Sequence, residues 1–287
     1  MPTLMTESAV WDLIRAVPAT EPGAERTRRV HSSANDSYWL HIDESGGWRT
    51  SAPLSEAAKT LVDLYLPLQL DPNLVIGQIG QSLDGRIATE KGKSHYITGQ
   101  ADILRLHRLR ALVDAVIVGA GTVAADDPRL TVRGVEGDNP VRVVLDPRAR
   151  LSAAHAVFSD GAAPTLVVRA ARLATPANTG KNVIDLPTVS AAGAPGAAPG
   201  FDPHAVVEAL RSRGLRRLLI EGGGITVSRF LQAGALTRLH VAVAPMLIGS
   251  GRPAFTLPAI TVLDDALRPP CRQFQLGDDV LFDFDLR

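Results

Sequence analysis

The spacing of apolar positions changes character at about residue 70. Upstream, TESAVWDLIRAV carries a helical repeat behind Thr6, whose hydroxyl suits a helix cap, and SEAAKTLVDLYL carries the same repeat again. Between them, YWLHIDESGGWRT predicts two short strands around a Gly46-Gly47 turn. Residues 1–70 therefore read as a small α+β extension. From Asn73 onward, short apolar runs recur: LVIGQIG, AVIVG at 115–119, VRVVLD at 141–146, PTLVVRA at 164–170, NVIDLP at 182–187, RRLLIEGG at 216–223 and RLHVAVAPMLIG at 238–249. Each has the length and β-branched content of a buried strand.

Helical stretches separate several of these runs. Gln100 to Val113 opens at Thr98, and His204 to Arg213 opens at Asp202-Pro203 and closes at Gly214. Strand, helix, strand in succession predicts parallel pairing with right-handed crossovers. The last segment, RQFQLGDDVLFDFDLR, predicts a hairpin around Gly277-Asp278, so the sheet is mixed. TVSAAGAPGAAPGF, residues 188–201, reads as a surface loop too short to link domains. The expectation is an α/β domain over residues 71–287, with the extension before it.

Composition narrows the function classes. A hydrophobic content of 45% over 287 residues supports a full core, and 30 basic residues balance 30 acidic ones. That balance points to neither a nucleic-acid nor a membrane partner. Cys271 is the lone cysteine, which removes internal disulfides and cysteine-cluster metal sites and fits a reducing compartment. The start, MPTLMTESAVWDLIRAV, lacks the features of a secretory signal, and no run reaches the roughly 18 apolar residues of a membrane span. The expected location is the cytoplasm. Histidines 31, 41, 95, 107, 155, 204 and 240 include no pair at metal-ligand spacing, so no metal site is expected. Neither a G-x-S-x-G elbow nor a Walker lysine is present. Redox chemistry on a borrowed cofactor is what remains.

VIVGAGTVAADDPRLTVR, residues 116–133, begins like a dinucleotide-binding turn. Gly119-Ala120-Gly121-Thr122-Val123-Ala124 matches G-x-G-x-x-A after an apolar strand, and Asp146 ends a later strand. A Rossmann site, however, needs a full helix that crosses back over the sheet. Pro128 stops this one after about two turns, because proline removes a donor and biases Asp127 away from helical geometry. The remainder, Asp126-Asp127-Pro128-Arg129-Leu130-Thr131-Val132-Arg133, is either a solvated loop or part of a site. Ser82-Leu83-Asp84-Gly85-Arg86 predicts a β-turn. In LRLHRLRALV, the clustered Arg105, His107, Arg108 and Arg110 predict a solvated cationic face. Arg110, at the edge of the apolar stripe, is placed to enter a cleft and grip a phosphate bidentately. Glu221-Gly222-Gly223-Gly224 separates a strand from the helical stretch Ile225 to Gln232. Glycines there let backbone approach an anion at a helix N-terminus; a flexible connector is the plain alternative. Glu221 either faces a ligand or enters the helix.

SLDGR, the IT of HYITG, HRLRA, VGAGTVAADDPRLTVR, PVRVVLD, LLIEGGG and APMLIGSG follow one another in the order and spacing of the pyrimidine reductases of riboflavin biosynthesis. The chain resembles that family over about residues 73–287. Such reductases form the C-terminal half of a bacterial bifunctional deaminase-reductase and stand alone in archaea and fungi. The resemblance implies a dihydrofolate-reductase-like α/β fold: a mixed, mostly parallel sheet flanked by helices, a C-terminal antiparallel hairpin, and usually a homodimer. It implies NADPH as cofactor and a small phosphorylated pyrimidine as substrate. The implied reaction moves hydride from C4 of the nicotinamide to C1′ of the opened ribosyl group, giving a ribitylamino pyrimidine.

By the same resemblance, Ser94, Arg110, Leu130, Arg133 and Glu221 occupy substrate positions, the two arginines at the 5′-phosphate. Asp126 and Glu221 are the implied catalytic acids, with Asp126 where the ligands meet, as proton donor or relay. Gly80, Tyr96, Thr122, Asp126 and the run Gly223, Gly224, Ile225, Thr226 up to Arg229 occupy cofactor positions. The turn at 223–224 would receive the pyrophosphate, with a 2′-phosphate contact near Pro147 or Arg148. Two departures stand out. Gln78 replaces a lysine of the bifunctional enzymes, whereas archaeal stand-alone members tend to carry a neutral amide there, so the ring's identity stays open. The extension has neither the H-x-E nor the P-C-x-x-C of a zinc deaminase, and covering the site or extending a dimer interface are both open to it. A different pterin or pyrimidine substrate, or a ligand-binding relative without catalysis, are the alternative readings.

Overall fold

Helix α1 (Glu7–Ala16) begins where its sequence puts it: Thr6 stays extended and its hydroxyl accepts from Ala9 N at 3.2 Å. Strands β1 (Arg28–His31), β2 (Trp39–Ile42) and β3 (Trp48–Thr50) follow as an antiparallel sheet, then α2 (Glu56–Gln69), capped by Ser55. The β2–β3 turn is built by Asp43, whose Oδ1 accepts from Ser45 N and Gly47 N at 2.9 Å, with Gly46 at φ 83. Basic RRVH of β1 carries too little apolar signal to predict a strand. Trp11 meets Tyr65 edge-on at 5.4 Å.

This computed structural model describes residues 4–19, 28–94, 96–174, 181–189 and 199–287, and the chain divides into units Met1–Leu74 and Val75–Arg287. The second unit opens with β4 (Val75–Ser82), β5 (Arg86–Thr89), α3 (Gln100–Leu112), β6 (Ala115–Gly119), α4 (Ala120–Asp126) and β7 (Val141–Leu145). It continues through α5 (Ala156–Ser159), β8 (Thr165–Ala170), β9 (Val183–Leu186), α6 (Pro203–Arg211), β10 (Leu218–Ile220) and α7 (Gly224–Gln232). Strands β11 (Arg238–Ala244), β12 (Gly251–Pro253), β13 (Cys271–Leu276) and β14 (Asp279–Asp285) complete it. Residues 190–198 of the expected surface loop lie outside the described residues.

A nine-stranded sheet takes the order β13-β14-β11-β4-β10-β6-β7-β8-β9. From β11 to β9 every neighbour is parallel, and the β13–β14 hairpin, turning at Gly277, adds the antiparallel edge. The mixed, mostly parallel sheet expected from the sequence is thus present. Its core joins Val75, Ile79, Ile117, Val143, Val168, Leu218 and Ile220 to Val206, Leu210 and Phe230 of the helices. A separate two-stranded ribbon of β5 and β12 was not predicted. The predicted SLDGR turn is present, with Gly85 N donating to Ser82 O at 2.9 Å, and β5 starts directly after it.

Local signals held at most helix ends. Asp202 caps α6 through His204 N at 3.0 Å, with Pro203 first and Gly214 at φ 81 beyond the end. Gly99, not Thr98, caps α3, and its N–H is met from outside by Asp279 Oδ2 at 2.7 Å. The stop before Pro128 is real, but Asp127 takes a left-handed conformation, φ 41 and ψ 54, rather than an extended one. Among the described residues no helix is long and apolar enough to cross a membrane.

The solvated cationic face expected of α3 is overturned. Arg105 is 1% exposed, His107 6% and Arg110 7%. Each has a buried partner from elsewhere in the chain. Arg105 Nη1 lies 3.0 Å from His240 Nδ1. His240 Nε2 in turn lies 3.2 Å from Asp283 Oδ1, without hydrogen-bond alignment. Burial, with Arg105 and Arg238 nearby, pushes His240 down to about 4 against the pull of Asp283. Its unfolded value is near 6.5, so the unfolded chain takes up this proton first as pH falls. Stability from a neutral His240 is full above pH 6.5 and is lost between there and about 4, by on the order of 3 kcal/mol. The melting temperature should therefore fall across that window. His240→Gln should flatten it in pH-resolved thermal melts, and an unchanged slope would remove His240 as its cause.

Candidate functional site

Strand β10 is short. Ile220, its last residue, pairs with Gly77 on one side and Ile117 on the other, while β4 and β6 run on past it. The notch this leaves lies at the carboxyl ends of parallel strands, where α/β sheets bind ligands. A cavity of about 700 Å³ fills it, walled by Gln78 and Gly80 of β4, Val118 and Gly119 of β6, and Glu221 and Gly222 after β10. That volume is within the roughly 300–1,000 Å³ of small-molecule sites.

One wall is a backbone cradle. Thr122 Oγ1, on α4, accepts from Gly223 N at 2.9 Å and pins the glycine turn to the first helix of the GAGT motif. Gly222 sits at φ 95, in the left-handed region that favours glycine. At Gly224 the requirement is space, since a Cβ there would stand 2.2 Å from Ala254 O. Gly223, Gly224, Ile225 and Thr226 all face the cavity as α7 begins, where N–H groups lack intrahelical partners. Pro147, Arg148, Arg150 and Arg229 border the same space. Burial pushes the Arg229 guanidinium below its ordinary value. The turn is tied to α4 by the bond from Gly223 to Thr122.

The other wall carries the acids. Ser94 Oγ donates to Asp126 Oδ1 at 3.2 Å, and both line the cavity with Tyr96, Leu130 and Glu221. Asp126 and Asp127 part company. Asp127 Oδ1 accepts from Ala156 N at 2.8 Å and meets His155, so its left-handed turn sends it to the surface and leaves Asp126 facing inward. Leu130 is 2% exposed and holds φ 56, a conformation costly for leucine. Tyr96, at φ 64, is 81% exposed at the rim.

The two arginines implied at a phosphate are not part of the cavity wall. Arg110 turns its fork onto Glu221, donating from Nε and Nη2 to the two carboxylate oxygens at 2.7 Å each, and from Nη1 to Thr131 O at 3.0 Å. Although burial disfavours its charge, Glu221 more than restores it and raises Arg110 above its ordinary value. Arg133 is exposed and donates from Nη1 to Thr131 Oγ1 at 2.7 Å. The cations that do border the cavity are Arg148, Arg150, Arg229 and Arg252. Sequence reading missed Arg150, Arg252 and Asp102, another wall residue. Arg252 arrives on β12 and crowds Gly92, where a Cβ would stand 2.8 Å from its Nη2, a contact that no local pattern announces.

This geometry sits in a chain with clear relatives. The profile of the family described as the RibD C-terminal domain matches residues 73–276. The chain is 38% identical over 220 residues to the 2,5-diamino-6-ribosylamino-4(3H)-pyrimidinone 5′-phosphate reductase of Methanothermobacter thermautotrophicus, covering 74% of this chain and 98% of that protein. It is 30% identical to the riboflavin biosynthesis protein RibD of Aquifex aeolicus over 237 residues, 80% of this chain and 62% of that one. Among solved structures, a diaminohydroxyphosphoribosylaminopyrimidine deaminase/5-amino-6-(5-phosphoribosylamino)uracil reductase of Thermotoga maritima superimposes with a TM-score of 0.59 at 25% identity. That match covers 80% of this chain and 61% of the other. Fold and sequence agree, and the chain belongs to the family of the RibD C-terminal domain.

Proposed function

We propose that this chain is an NADPH-dependent reductase of 2,5-diamino-6-ribosylamino-4(3H)-pyrimidinone 5′-phosphate, the compound in the name of its Methanothermobacter relative. The observation that carries the reading is a single cavity with a clamped glycine cradle on one wall and Asp126 and Glu221 on the other. The residues fit the cofactor. The turn at Gly223 and Gly224 is kept free of side chains and opens α7, which suits a pyrophosphate, and Arg148 and Arg150 suit a further phosphate.

Bound there, NADPH would supply the hydride that reduces C1′ of the opened ribosyl group. Hydride and proton add across one carbon–nitrogen double bond, so the chain must deliver a proton to the nitrogen as C1′ is reduced. In this reading Asp126, oriented by the hydrogen bond from Ser94, supplies that proton. Glu221, held rigid by the Arg110 fork, positions the ribosyl chain, and the apolar Leu130 keeps water from the reacting carbon. The neutral amide of Gln78, its Oε1 buried without a partner, suits an amino-bearing ring.

The test is NADPH oxidation by purified protein with the diamino pyrimidinone and, separately, with the deaminated uracil. The diamino compound should be the better substrate. Asp126→Asn should lower kcat roughly 10²- to 10⁴-fold. No NADPH consumption with either pyrimidine overturns the reading, and tight NADPH binding without turnover would mark a ligand-binding relative instead.

A further inference from the structure

Gln78 and Gly80 are two residues apart on β4 and so point to the same face of the sheet, beside His240 and Ala242, their partners on β11. Helix α3 covers that face. Asp102 reaches it across Gly80: a Cβ at position 80 would stand 3.6 Å from Asp102 Oδ2 and 3.0 Å from the Thr98 methyl. Asp102 is 2% exposed, and its Oδ1 accepts from Arg105 Nε at 2.7 Å. Arg105 is itself fixed by His240, so the carboxylate cannot swing away without breaking a buried pair. Oδ2 has no hydrogen-bond partner among the described residues, yet Asp102 is part of the cavity wall.

The same wall holds Gln78, 8% exposed, whose Oε1 is buried without a donor. Two side chains more than nine-tenths buried thus line the same cavity, each with an oxygen that accepts no hydrogen bond among the described residues. Buried acceptors without donors are unfavourable until something supplies hydrogens. A heterocycle edge that carries an amino group beside a ring N–H supplies them; an edge with a carbonyl at the same place presents another acceptor and is repelled.

We propose that Asp102 is a substrate-binding residue, its Oδ2 accepting from the amino-bearing edge of the pyrimidinone and so favouring that ring over its deaminated counterpart. This rests on the reductase reading above and adds a residue and a basis for ring choice. Arg105 and His240 act through Asp102 as positioning residues.

The experiment compares wild type with Asp102→Asn for steady-state kinetics on both pyrimidines and for NADPH affinity by fluorescence titration. The amide keeps the shape but loses the charged acceptor. KM for the diamino pyrimidinone should rise roughly 10- to 100-fold, and the preference for it over the uracil should shrink by about as much, with NADPH affinity unchanged. A purely structural role would weaken both substrates and the cofactor alike. If the single variant does not fold, Asp102→Asn with Arg105→Met removes both charges and is read the same way. A folded variant with unchanged KM and unchanged preference overturns the assignment while leaving the reductase intact. Wild-type protein that turns over neither pyrimidine removes the functional reading, and this inference with it.

Discussion

Arg110→Met is expected to lower stability by about 3–5 kcal/mol, because it leaves the Glu221 carboxylate buried without its partner. Both side chains are under 10% exposed, 8% and 7%, so solvent screens the pair little. The loss should appear as a fall of roughly 10 °C in melting temperature. Activity should vanish with it, since Glu221 would no longer be held toward the cavity. Arg110→Met combined with Glu221→Gln removes both charges and should recover most of the stability but none of the turnover. Thermal melts and NADPH oxidation on the two variants separate those effects. If the single variant melts like wild type, the bidentate pair contributes nothing and the account of Glu221 as a fixed wall residue fails. The pair also changes the reading of Arg110 itself: a substrate phosphate that reached this fork would have to displace Glu221.

The parallel strands of the large sheet were legible because each is a short apolar run with turn residues on either side. The parallel direction of the central ones followed from the intervening helices, but their order across the sheet did not. The early stop of α4 was legible too, since Pro128 acts locally. What the stop does was not. Only the left-handed turn at Asp127 separates the two acids, sending one to Ala156 N and leaving Asp126 inside. The cations of α3 were misread for a different reason. Their partners, His240 and Glu221, lie 135 and 111 residues away in sequence, so no window on the helix contains the charges that permit burial. Asp102 escaped notice in the same way, appearing as an ordinary first-turn acid until β4 and β11 pack against it. Strand β12 is short and pairs with β5 across a long loop, so Arg252 had no pattern to place it.

Alanine at Gly224 should weaken NADPH binding roughly 100-fold or more, through the loss of about two charge-assisted hydrogen bonds to phosphate. The cause is not backbone conformation, as Gly224 lies in ordinary helical geometry at the start of α7. It is room. The new Cβ would stand 2.2 Å from Ala254 O and 2.9 Å from Pro253 O, both backbone atoms, so the first turn of α7 must move away from the loop after β12. That motion pulls on Gly223 N and its bond to Thr122 Oγ1, the clamp that aims the turn. Gly214→Ala is the control: its φ of 81 makes alanine strained, but nothing lies within 4 Å. It should lower stability by about 1–2 kcal/mol and leave NADPH affinity alone. Fluorescence titration with NADPH, alongside circular dichroism to confirm folding, reads both variants. A folded Gly224→Ala protein that binds NADPH like wild type would move the phosphate seat elsewhere, with Arg148 and Arg150 the next place to look.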